Sequence, residues 1–153
     1  MARRSTSAKD AVRADPPIKS PLFLGVFLES LSVDNKLLGK GNGRLTLAVD
    51  KTFDLERTAP KKEGQPSQAS VTVQLVVSGT IEGQTKPSLT IKARFQGRFA
   101  FRKGVTDDVA DKLCLDDEYR YAMNMQVLAV AMTHVKPLLE LSSVTARGIH
   151  LGV

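Results

Sequence analysis

Between Ser70 and Phe101 apolar and polar residues alternate with a period of two, and the run then gives way to a helix-like segment. Successive side chains of a strand point to opposite faces, so Leu89, Ile91, Ala93, Phe95, Phe99 and Phe101 fall on one side. Lys92, Arg94, Arg98 and Arg102 fall on the other. Such alternation specifies an antiparallel sheet covered on one face only, with a wet and strongly basic second face. This is the build of a binding platform rather than of a catalytic cleft.

With 153 residues the chain fits one domain and can bury a core without staples. Aromatic residues make up only 5% and Trp is absent, so that core relies on Val, Leu and six Phe. The net charge is +6, and residues 1–19 carry half of it, with Arg3, Arg4, Lys9, Arg13 and Lys19 against Asp10 and Asp15. The single cysteine, Cys114, excludes an internal disulfide and a multi-cysteine metal site, which suits a reducing cytoplasm. Leu22–Leu28 follows a basic leader as a signal peptide core would, yet Glu29 comes at once and no small-residue cleavage site follows. No apolar run approaches the roughly 20 residues of a membrane helix. A cytoplasmic protein without membrane insertion is expected.

Residues 1–20 lack periodicity and end in the proline-rich Asp15-Pro-Pro-Ile-Lys-Ser-Pro21, so they are expected to form a disordered basic arm ahead of a single domain over 21–153. Strands are expected at Phe23–Val33 and Arg44–Leu55, joined by a turn at Gly39-Lys-Gly-Asn-Gly43. A polar loop over Glu56–Ala69 leads to a third strand at Ser70–Ile81, and a turn at Glu82–Pro87 to a fourth, where Gly97 marks a bulge or a close contact. Hairpin links throughout suggest a meander, with Greek-key-like order as the related possibility. Thr106-Asp107-Asp108 and Asp116-Asp117-Glu118 each place a cap and acids at a helix start. The second helix is expected over about Asp117–Leu141, bent or ended by Pro137. The chain is therefore α+β: a four-stranded antiparallel sheet, a short helix, and one long helix packed on one face.

Catalytic chemistry is not encoded in any recognisable pattern. His134 and His150 lack a third ligand at metal spacing, the acids between Asp107 and Glu118 read as caps, and no phosphate-binding loop is present. Neither an enzyme nor a metal or cofactor is expected. The stripe Lys92, Arg94, Arg98 and Arg102 has the charge to grip phosphates, but Phe95, Phe99 and Phe101 point away from it, where a nucleic-acid reader would set aromatics beside it. A solvated face is the plainer reading. The long helix carries Met123, Met125 and Met132 with Leu128 and Leu138, flexible groups that suit an adaptable apolar surface as well as a core. One sheet leaves much of such a helix bare, so a partner is needed to cover it.

The order of parts, and several local strings, resemble the SecB-type preprotein export chaperone family. Phe27-Leu-Glu-Ser-Leu-Ser-Val-Asp34 is similar to the family's first strand, Ser70–Ser78 to its third and Ala93-Arg-Phe-Gln-Gly-Arg-Phe-Ala-Phe101 to its Gly-centred fourth. Val127–Leu151 is similar to its helix and short tail. The resemblance covers roughly residues 22–151. It implies a homotetramer, a dimer of dimers with the long helices between two sheets. It also implies an ATP-independent holdase that binds nonnative polypeptide in apolar grooves without a catalytic residue. By position the groove-lining candidates are Phe23, Phe27, Leu37, Leu38, Phe95, Phe99, Met125, Leu128 and Met132, of which about half are expected to be ordinary core.

The chain departs from the family pattern at Val130-Ala-Met-Thr133, where the family has a Pro-Tyr-Ala-Arg string, and it stops without the second lid helix. The best-known members present an acidic sheet face to the export ATPase, whereas Lys92, Arg94, Arg98 and Arg102 make this face a basic one. A dedicated client, such as the antitoxin of a toxin–antitoxin pair, fits that face better than protein export does. The alternative is a nucleic-acid-associated sheet protein working through the basic face.

Overall fold

The computed structural model describes residues 21–37 and 43–142. The order of elements is β1 (Leu22–Asn35), β2 (Leu45–Thr58), β3 (Gln68–Ile81), β4 (Leu89–Ala100), α1 (Asp107–Leu115) and α2 (Asp117–Leu141). The four strands form one antiparallel sheet in the order β1-β4-β3-β2. This is the α+β arrangement expected, with both helices after the sheet. The expected basic arm lies outside the described residues.

The connectivity differs from a pure meander in one link. β2, β3 and β4 follow one another by hairpins, but β1 pairs with β4 at the far edge, which makes the order that of a Greek key. The turn expected at Gly39–Gly43 therefore does not close a β1–β2 hairpin. The chain after β1 sets out across the β3–β4 end, where the Lys36 amide donates to the Ser88 carbonyl at 2.8 Å. Residues 38–42, most of that crossing, lie outside the described residues. The sequence cannot separate the two topologies locally, because a Gly-rich link serves either.

The alternation sorts the faces as expected. Val71, Val73, Leu75 and Val77 of β3 and Leu89, Ile91, Phe95 and Phe99 of β4 are buried under α2, whose Met123, Val127, Leu128, Ala131, Met132, Val135 and Leu139 recur at three- and four-residue spacing to meet them. Gly97 is the point of closest approach, since a β-carbon there would lie 2.1 Å from Val127 Cγ2. It is a packing contact and not a bulge. The bulges are in β1 instead, between Phe23 and Gly25 and between Leu28 and Ser30.

Both helices start where the caps place them. Thr106 Oγ1 accepts from the Val109 amide at 3.4 Å and Asp116 Oδ1 from the Tyr119 amide at 2.9 Å. Pro137 lies inside α2, which continues to Leu141. The outward side of α2 is less apolar than its composition suggests: Ala122, Gln126, Ala129, Thr133, Lys136 and Glu140 are exposed there. The end of β2 is clasped to α1 by Arg57, whose guanidinium meets Asp107 Oδ1 and Asp111 Oδ2 at 3.2 Å each, with buried Ser67 joining through Asp107.

Candidate functional site

Each bulge in β1 absorbs one residue, and the two together rewrite which side chains share a face. Directly opposed residues of an antiparallel pair point the same way, so Phe23, Val26, Leu28, Leu31 and Val33 follow Phe99, Gly97, Phe95, Ala93 and Ile91 onto the helix side. Their spacing is three, two, three, two. Strict period two would have put Phe27 with Phe23, and it does not survive the first bulge.

β1 is an edge strand at the margin of α2, since the helix packs across β3 and β4. On β4, Val127 packs on Gly97 and His134 stacks on Phe95 at 6.0 Å between ring centroids. Leu28, Leu31 and Val33 thus belong to the core face but stay 53, 42 and 44% exposed. They form a half-exposed apolar trough on the helix side of a strand edge that no other strand pairs among the described residues. An exposed edge offers backbone donors and acceptors, and the trough offers alternate apolar side chains, which is the chemistry that receives an extended polypeptide.

The residues singled out from the sequence divide between this trough, the core and the opposite face. Phe95, Phe99, Leu128 and Met132 are interior to the single chain. Phe23, Leu37 and Met125 are partly buried against the core, Phe23 tilted at 5.3 Å from Phe99. Leu38 lies outside the described residues. Phe27, opposite Gln96, stands on the outer face and not with the groove candidates. Period-two spacing does not mark the trough residues Leu28, Leu31 and Val33, and the local signal for them is Gly25, a residue suited to the first bulge with its φ of 144°. Nothing in Leu28-Glu-Ser30 announces the second.

The outer face carries its charge in rows. Lys92, Arg94 and Arg98 of β4 are exposed on it, and Arg102 is exposed just past the strand. Arg94 Nε meets Glu29 Oε2 at 2.6 Å, and the Arg98 guanidinium carbon sits 4.8 Å from the centre of the Phe27 ring. Along β2, Asp50, Asp54 and Glu56 line the same face with the opposite sign. The face is polarised across the strands, acidic at one edge and basic toward the other.

Two groups elsewhere have shifted titration. Burial pushes the Cys114 thiol up, against a lowering by Arg57, and burial raises Tyr119 to about 12, with Cys114 beside it. Cys114 is thus held as an inert thiol. Among the described residues no cluster of His, Cys, Asp or Glu has the makings of a metal site, and no helix is long and apolar enough to cross a membrane.

No protein-family model matches the chain, and no curated protein does. A solved structure with the same fold is the Mycobacterium tuberculosis SecB-like chaperone Rv1957, determined in complex with a ChAD peptide from the Rv1956 HigA1 antitoxin. It matches with a TM-score of 0.59 and 12% identity over 86% of this chain and 90% of that one.

Proposed function

We propose that the chain is a SecB-like chaperone, an ATP-independent holdase that keeps nonnative polypeptide in an extended form. The observation that carries this reading is the trough of Leu28, Leu31 and Val33 beside the edge of β1, which no strand pairs among the described residues. A monomer that leaves three aliphatic side chains of its own core face half-uncovered presents them to another chain. The likeness in fold to a chaperone solved in complex with an antitoxin peptide supports the same reading, and a dedicated client such as an antitoxin is its more specific form. Assembly as a dimer of dimers in the cytoplasm completes it, with Phe23, Leu37 and Met125 framing the apolar surface and Lys92, Arg94, Arg98 and Arg102 left on a separate partner face.

The test is the solution mass by light scattering, paired with suppression of aggregation of an unrelated unfolding protein at stoichiometric ratio. A tetramer about four times the 16.6 kDa chain that protects without ATP supports the proposal. A monomer that gives no protection overturns it.

A further inference from the structure

On the side of the sheet away from α2, the first bulge gathers apolar groups next to cations. Leu22 faces outward opposite Ala100, Leu24 and Gly25 together oppose Arg98, and Phe27 opposes Gln96. The second bulge shows what becomes of the extra residue, because Glu29, absorbed there as Leu24 is in the first, reaches Arg94 on this same outer face. Leu22, Leu24 and Phe27 are each about half exposed. Arg98 lies over the Phe27 ring and donates to Gln96 Oε1 at 3.1 Å, and Arg94 stands on the outward position of β4 beyond Gln96. Three half-exposed apolar side chains at one corner exceed what scattered surface residues need.

We infer that this corner is a docking site for an acidic, apolar polypeptide segment, one that carries Leu or Phe side chains beside carboxylates. Charge complementarity selects that occupant: among the described residues the corner offers Arg94 and Arg98 against the one carboxylate of Glu29, while the acidic row Asp50, Asp54 and Glu56 repels the same segment from the β2 edge. Leu22 and Leu24 give a nucleic acid nothing to stack on, and Phe27 already has Arg98 over its ring. The guanidinium over Phe27 is held ready for a carboxylate while the ring anchors an aliphatic group. The corner lies on the face opposite the trough, so the inference stands apart from the holdase reading.

Fluorescence anisotropy on the full chain tests it, with a short labelled peptide alternating Glu with Leu and Phe. Its counterpart with Gln for Glu, its counterpart with Ala for Leu and Phe, and a labelled oligothymidine serve as comparison probes. The expected result is binding by the first peptide about tenfold tighter than by either counterpart, weakened by salt, and weakened about tenfold again by Phe27→Ser and by Arg98→Glu. Both substitutions are at exposed positions, and unchanged urea midpoints confirm that they fold. An unlabelled neutral apolar polypeptide that fills the trough does not displace the probe, and aggregation suppression is unchanged in Arg98→Glu. Equal affinity for the Glu and Gln peptides overturns the inference, as does indifference to both substitutions or tighter binding of the oligothymidine. Failure of the wild-type protein to suppress aggregation overturns the holdase reading alone.

Discussion

Val127 occupies the space that a β-carbon on Gly97 would need, its Cγ2 only 2.1 Å from that position. The helix rests on the sheet through this absence, with α2 seated directly on the backbone of β4. Gly97→Ala forces the helix off or the strand down, and a loss of about 2 kcal/mol in urea unfolding is expected from overpacking. Combining it with Val127→Ala restores room, so the double variant loses less than the two single losses added, by about 1 kcal/mol or more. Strict additivity would show that the contact does not govern the packing.

The clasp at Arg57 separates a partly buried partner from two exposed ones. The Arg57 side chain is 18% exposed, whereas Asp107 and Asp111 are half exposed. Asp111→Asn should therefore cost under about 1 kcal/mol, as exposed ion pairs do. Arg57→Ala also strips the apolar stem from the β2–α1 junction, and about 1–3 kcal/mol is expected by urea midpoint. An equal effect of the two substitutions would contradict this assignment.

Tyr119 makes stability sensitive to alkali. Its folded value of about 12 lies above the ordinary 10.0, so its contribution is complete below pH 10 and is lost as pH rises from 10 through about 12. Cys114, raised from 9.0, acts in the same direction from pH 9 upward. Urea midpoints measured across this range should fall, and Tyr119→Phe should flatten the part above pH 10 while leaving the earlier part.

Much of this fold is legible in the residues. The caps at Thr106 and Asp116 and the alternation of β3 and β4 place both helices and the two inner strands, because those signals are local and period-true. The edge strand is another matter. Phe27 is spaced to join Phe23 until one residue is absorbed at Leu24, and no composition rule reports that absorption. The same slip hides the trough of Leu28, Leu31 and Val33, since its residues sit on both parities of the sequence. Burial also hides from a single strand: Phe95 and Leu31 read alike, and only their places in the sheet order, inner and edge, make one core and the other surface.

A bulge residue is an insertion, which gives deletions at β1 a signature. Removing Leu24 leaves Phe23 and Val26 on their present faces and should cost little, within about 1 kcal/mol. Removing Ser32 sends Val33 to the opposite face, and a larger loss is expected. Comparable urea midpoints for the two deletions would contradict the register.

Substitutions in the trough should separate binding from folding. Leu28 and Leu31 are about half exposed, so Leu31→Asp is expected to change the urea midpoint by no more than about 0.5 kcal/mol. It should nonetheless abolish most of the aggregation suppression. Retained suppression would move the client site elsewhere.

The pairing of β1 with β4 also sets an order in time. Leu22 is among the first of these residues to leave the ribosome, yet its partner Ala100 is made some ~80 residues later, several seconds behind at ~5–20 residues per second. The β2–β3 and β3–β4 hairpins close over short separations and can be complete while β1 still waits. The strand that finds its place last is also the one that carries the uncovered aliphatic residues, so the nascent chain holds them without a strand partner until β4 has been made.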